Sequence, residues 1–111
     1  MTIDVEKIGI KIKLTEGKLK AIVGLDFGDV IIRGFRIQES QHENDRGEKI
    51  WVTPPSYLGG GKWHPIAFFS DKDLWKKIEG KIYDAYAEVM KKRLTKAYGL
   101  SEEETSQYFS K

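Results

Sequence analysis

An α+β fold is the class this chain predicts: an antiparallel meander of about five strands followed by one long C-terminal helix. Three observations carry it. Apolar residues alternate with period two over the first two thirds of the chain, as they do in half-buried strands. Turn-forming residues punctuate those runs. After Ser70 the apolar spacing switches to three and four, the period of an amphipathic helix.

The elements follow in order. Ile8, Ile10, Ile12 and Leu14 alternate with Gly9, Lys11 and Lys13, which predicts a first strand. Thr15-Glu16-Gly17-Lys18 is the turn after it. Leu19, Ala21, Val23, Leu25 and Phe27 form the second alternating run, closed by Gly28-Asp29, a two-residue hairpin loop with glycine first. Residues 30–38 read as the third strand and the polar stretch 40–48 as a mobile loop. Ile50-Trp51-Val52-Thr53 is a short fourth strand stopped by Pro54-Pro55. Gly59-Gly60-Gly61 is flexible by composition, and 66–69 is read as a fifth strand. Ser70 is the expected helix cap, with Asp71 and Asp73 suiting the positive end of the helix dipole. Leu74, Ile78, Ile82, Ala85 and Val89 form the predicted buried stripe, widened by Trp75, Tyr86 and Met90. The helix is expected to end between Leu94 and Tyr98, so residues 1–98 make the domain and 99–111 a short extra helix or tail, opened by Ser101-Glu102-Glu103-Glu104.

Composition narrows the function classes. The chain has 111 residues, 40% of them hydrophobic and 12% aromatic, enough for one domain with a real core. No apolar run reaches the ~18–20 residues that span a bilayer, and the first residues lack the basic start and apolar stretch of a signal peptide. With no cysteine, neither disulfides nor thiolate metal sites arise, which fits the cytoplasm. The net charge of +2 says little about nucleic acid by itself, because binding depends on local clusters. The two histidines, His42 and His64, stand in no metal-ligand spacing, and there is no Gly-x-Ser-x-Gly elbow. Neither a catalytic residue, a metal, a cofactor nor a small-molecule substrate is therefore expected.

Pairing across a tight Gly28-Asp29 hairpin sets Phe27 opposite Val30, Leu25 opposite Ile32 and Val23 opposite Gly34. The other face would then carry Ile22, Ile31, Phe35 and Ile37. One helix covers one face, so a twofold homodimer burying those four residues is expected, unless a bulge in the third strand shifts the pattern.

The same residues resemble the stage V sporulation protein G family of bacterial regulators, over about residues 7–90. Leu19-Lys20-Ala21-Ile22 resembles its second strand. Ile31-Ile32-Arg33-Gly34-Phe35-Arg36-Ile37 resembles its third. Ile50-Trp51-Val52-Thr53-Pro54-Pro55-Ser56 is similar to its Leu-Phe-Val-Ala-Met-Pro-Ser segment, and Gly61-Lys62-Trp63 stands where it has Gly-Glu-Phe. Lys77-Ile78 and Tyr86 match positions in its helix. The resemblance implies an antiparallel sheet with a following helix, a dimer, and cytoplasmic binding of DNA, with RNA for some members. It also implies basic residues at Lys11, Lys18, Lys20 and Arg36. The chain departs from the family where two basic residues implicated in DNA contact follow Met-Pro-Ser: here stand Tyr57 and Leu58. His64 replaces a family arginine, with Lys62 in partial compensation.

The candidate nucleic-acid surface is thus Lys11, Lys13, Lys18, Lys20 and Arg36, extended by Lys62 and His64. If Leu14 faces Leu19, Lys13 faces Lys20, a like-charge pair that phosphate would relieve. Lysines that guard a sheet edge against aggregation give the same pattern. Arg36 shares a face with core residues in this register, so it is either turned outward by a bulge or buried with a carboxylate partner. Tyr57 and His64 are open to base stacking, whereas Trp63 is expected to pack on the sheet. Lys91-Lys92-Arg93, with Lys96, is ordinary cationic chemistry at a helix C-terminus. A protein-interaction module on the same fold is the alternative to nucleic-acid binding.

Overall fold

The computed structural model describes residues 3–98, with side chains as far as Arg93. A 3-10 turn at Val5–Lys7 leads into β1 (Gly9–Leu14), β2 (Leu19–Asp26), β3 (Ile31–Glu39) and β4 (Ile50–Thr53), followed by β5 (Ser56–Gly59), β6 (Lys62–Pro65) and helix α1 (Lys72–Tyr98). Strands β1 to β4 form an antiparallel meander in chain order, and β5 and β6 form a separate two-stranded sheet. The expected single sheet of about five strands is thus four strands plus an independent hairpin. Residues 66–69 are not a strand. Phe69 instead packs among Phe27, Phe35 and Trp75, with ring centroids 5.9–6.4 Å away.

One side of the meander meets α1. Ala21, Val23, Leu25, Phe35, Ile37 and Val52 from the sheet form one buried cluster with Ile8 and with Ile78, Ile82 and Tyr83 from the helix. Of the predicted helical stripe, Ile78 and Ile82 are fully buried and Leu74 packs against the cluster. Ala85 and Val89 are only half-buried, and Tyr83 takes a core position that the spacing did not mark. The cap is Asp71 rather than Ser70: its Oδ1 accepts from the Asp73 and Leu74 N–H groups at 3.0 and 3.2 Å. At 1.5 Å per residue the 27-residue helix is about 40 Å long. Lys81 ties it to the N-terminal turn, donating to the Val5, Glu6 and Ile8 carbonyls at 2.8, 3.1 and 2.6 Å.

Register departs from simple alternation at two places in the β2–β3 pair. Leu25 faces Ile32 and Val23 faces Phe35, so the single residue Gly24 opposes two, Arg33 and Gly34. That is a β-bulge, and Gly34 accommodates it at φ +97°. Farther along, Leu19 faces Gln38 and Ala21 faces Ile37, which leaves Lys20 as an extra residue on β2. The first bulge reverses the parity of β3. Phe35 and Ile37 therefore point into the core with 0% of their surface exposed, and they cannot form the dimer interface expected from strict alternation. Of that set only Ile22 and Ile31 remain exposed.

The polar stretch 40–48, read as a mobile loop, is a loop held from within and from outside. Asn44 is buried; its Oδ1 accepts from the Arg46 and Glu48 N–H groups and its Nδ2 donates to the Ile50 carbonyl, at 2.9–3.1 Å. Arg46 then reaches α1, pairing with Asp84 at 2.9 Å, donating to the Gly80 carbonyl at 3.0 Å and lying over the Tyr83 ring. The expected terminal segment 99–111 lies outside the described residues.

Candidate nucleic-acid interface

The sheet face turned away from α1 is built by the residues that alternate with the core. Pairing across the strands sets Lys13 opposite Ile22, Ile22 opposite Arg36, and Arg36 opposite Thr53. This makes one continuous row across all four strands. Beside it, Lys11 faces Gly24. Gly24 has no side chain, and its place on the surface is covered by its neighbours: a Cβ there would lie 3.6 Å from Arg33 Cγ and 3.8 Å from Lys11 Cβ. Long cationic side chains that lie along apolar surface keep their heads in water. Lys11, Lys13, Arg33 and Arg36 are all exposed. Among the described residues, none of the four has a carboxylate oxygen within 4.0 Å. The carboxylate of Asp26, at the far end of the face, accepts from the Gly28 N–H at 2.8 Å.

The predicted site residues divide into three groups. Lys11, Lys13 and Arg36 come together on this face. The bulge turns Arg36 outward, so it is neither buried nor in need of an acidic partner. Lys18 is exposed in the turn between β1 and β2. Lys20 is the extra residue of the second irregularity, so it does not follow the alternation of β2. It lines a cleft of about 320 Å³ with Thr15, Glu16, Tyr86, Met90 and Arg93, between that turn and the helix. The expected contact between Lys13 and Lys20 does not form. Leu14 pairs with Ala21 rather than Leu19, and the Thr15 N–H closes the turn on the Lys20 carbonyl at 3.0 Å. Burial raises the Tyr86 phenol in the cleft above its ordinary value, with Glu48 adding to the rise and Arg93 opposing it.

Lys62 and His64 belong to the second sheet. Its loop is Gly60-Gly61, both at positive φ, with Gly59 facing Lys62, Leu58 facing Trp63 and Tyr57 facing His64. The Tyr57 and His64 rings stack with centroids 5.2 Å apart, and His64 Nε2 lies 3.0 Å from the Gly59 carbonyl oxygen. By strand alternation Lys62 shares this face, and Leu58 and Trp63 occupy the other. Trp63 is not packed on the main sheet as expected: it is 62% exposed.

Arg33 is the member of the cationic face that sequence reasoning missed. A signal for it was present. Within Ile31-Ile32-Arg33-Gly34-Phe35-Arg36-Ile37 the apolar parity changes across Arg33-Gly34, and a glycine at a parity change marks a bulge.

Among the described residues no group of three or more His, Asp or Glu side chains is placed to hold a metal ion, and no helix is long and apolar enough to cross a membrane. Comparison with known proteins adds little. No family profile matches the chain, and no solved structure does. A 1-butanol dehydrogenase (quinone) from Thauera butanivorans is 37% identical to it over 51 residues, which are 46% of this chain and 8% of that enzyme. The similarity thus spans a small fraction of the dehydrogenase and brings no substrate or cofactor with it.

Proposed function

We propose that this chain is a non-enzymatic, cytoplasmic, nucleic-acid-binding regulator of the stage V sporulation protein G type, acting as a homodimer. The observation that carries the proposal is the cationic face: Lys11, Lys13, Arg33 and Arg36 gathered around Ile22 and Gly24 on a sheet surface that the helix leaves open. Exposed cations without carboxylate partners suit the oxygens of a phosphate backbone, and binding there would release the backbone's condensed counterions. The face offers little to read base edges, so DNA or RNA would be held mainly through phosphate. Two copies would double the contacts and add avidity.

Titration of the protein with single-stranded DNA, duplex DNA and RNA at two salt concentrations tests this. Binding is expected to fall linearly in log–log form with salt. Lys11→Gln, Lys13→Gln and Arg36→Gln together should leave the fold intact, because all three side chains are exposed. They should weaken binding about tenfold or more and flatten the slope by about 2–3 per protomer. Unchanged affinity at equal ionic strength would remove this face from consideration. A second reading, a protein-interaction module, is favoured by the exposed apolar side chains of the β5–β6 hairpin. It requires binding to a protein partner with little salt dependence and no affinity for any of the three nucleic acids.

A further inference from the structure

Between β4 and the helix the chain leaves the body of the domain and returns. Pro55 is buried at the departure point, where the bulge glycine Gly34 lets its ring approach. Phe69 is locked into the aromatic cluster at the return. Between them lies the β5–β6 arm. Five of its large apolar side chains are more than half exposed: Tyr57 54%, Leu58 60%, Trp63 62%, Ile66 65% and Phe68 66%. Residues 54–68 carry a single charged side chain, Lys62, in a protein that is 32% charged.

We propose that the arm is the dimer clasp, with the Leu58–Trp63 face of one copy packed on the same face of a second copy across a twofold axis. The proposal rests on the dimeric part of the function put forward above and replaces the interface expected at Phe35 and Ile37. Four features select a second copy as the occupant. First, the aromatic side chains of the arm each offer about 150–250 Å². With some 60% of that exposed on Trp63 and Phe68, with Leu58 and Ile66 added, and with Tyr57 left out because it lies on the other face, the bare apolar area is on the order of 400 Å². That is the size of the largest, often functional, apolar patch on a typical monomer, ~300–600 Å², and about half of the ~800 Å² per partner in a stable interface. Second, a two-stranded hairpin is marginal by itself, and both strands of the arm have an unpaired outer edge. Third, the two faces of the arm differ. Tyr57 and His64 stack on each other, whereas among the described residues Trp63 stacks on no ring. Leu58 and Trp63 are direct cross-strand neighbours, so a twofold operation sets the Trp63 of each copy over the Leu58 of the other, the reciprocal contact an isologous interface needs. Fourth, the other open surface cannot serve. A dimer formed through the outer sheet face would bring eight cations together, four from each copy, at high electrostatic cost. Closure through the arm leaves both cationic faces free.

Sedimentation velocity without nucleic acid, at micromolar protein, tests the clasp. The wild type is expected at twice 12.8 kDa. Leu58→Lys with Trp63→Lys should sediment as a monomer with unchanged far-ultraviolet dichroism, dimerising about 30-fold or more weakly. Val30→Lys, a matched exposed apolar position at the Gly28-Asp29 turn, should stay dimeric. A monomeric wild type, or a double variant that dimerises like the wild type, overturns the proposal. If the double variant does not fold, amide exchange of the wild type decides. Protection of residues 56–65 that falls on dilution supports the clasp, and protection independent of concentration overturns it. Loss of dimerisation and loss of nucleic-acid binding are read in separate assays. A dimer that binds no nucleic acid therefore sinks the functional proposal and leaves the clasp standing.

Discussion

Replacing Gly34 by alanine probes the residue on which both surfaces depend. Gly34 sits at φ +97°, and a Cβ built there would lie 3.3 Å from Pro55 Cβ. The left-handed backbone costs an L-residue about 1–2 kcal/mol. The contact adds to this, because Pro55 is buried, its ring is stiff and it can yield only by moving the base of the arm. Overpacking of this kind costs about 1–3 kcal/mol. Gly34→Ala should therefore lose about 2–5 kcal/mol, a large fraction of the ~5–15 kcal/mol that holds a domain together. Gly28→Ala supplies the control. Gly28 has nearly the same φ, +93°, but a Cβ there meets nothing within 4 Å, so it should lose only the backbone share, about 1–2 kcal/mol. Urea unfolding followed by circular dichroism measures both, and at ~4–8 °C per kcal/mol the thermal midpoints should separate clearly. If Gly34→Ala proves no worse than Gly28→Ala, the approach of Pro55 to the bulge has no energetic weight and the description of the arm's anchor is wrong.

Three further outcomes follow from the packing. Phe35→Ala should cost about 3–5 kcal/mol in chemical denaturation, since Phe35 is fully buried between Phe69 and Trp75; a loss below about 1 kcal/mol would return Phe35 to the list of surface residues. Tyr83→Phe should be neutral or slightly stabilising, because the buried hydroxyl lies near Asn44 and the Val52 backbone without a well-formed hydrogen bond; a loss above about 1 kcal/mol would mean that bond is made in solution. Glu79 is raised above its ordinary 4.5 by burial and then by Asp45, with Lys76 opposing. A folded-state value above the unfolded one favours folding at acid pH, and that contribution is lost as pH rises through the folded value. Glu79→Gln should accordingly raise the thermal midpoint slightly at pH 7 and leave it unchanged below pH 4.5, whereas a lowered midpoint at pH 7 would contradict the sign.

How much of this was legible depends on how each element writes itself in sequence. Strands buried on one side write alternation, so β1, β2 and the Gly28-Asp29 turn could be read directly. The helix wrote its spacing at Ile78 and Ile82. The cap moved by one residue because Ser70 and Asp71 both suit the position. The arm was harder. Strands of four residues are too short to show a period, and Gly59-Gly60-Gly61 reads as flexibility unless Gly60-Gly61 is recognised as a two-residue hairpin loop. Residues 40–48 do form a loop, but the polar side chains that hold it in place were not legible. Asn44 and Arg46 hold that loop through hydrogen bonds and an ion pair, and composition cannot distinguish such a loop from an unstructured one.

A single inserted residue accounts for the largest discrepancy. Without a bulge, strict alternation leaves Phe35 and Ile37 on the open face and forces Arg36 into the core, a pattern with two faults: an apolar surface that demands a dimer partner, and a buried cation that demands an acid. The extra residue at Arg33-Gly34 removes both. Phe35 and Ile37 go inward, Arg36 goes outward to join Lys11, Lys13 and Arg33, and no carboxylate is required. The demand for a partner does not vanish with the correction; it moves. The sheet face becomes too cationic to meet its own copy, while Leu58 and Trp63 stand exposed on an arm anchored beside that same bulge through Pro55. The proposed phosphate binding and the proposed self-association thereby fall on different surfaces, so mutation of either surface tests one while leaving the other intact.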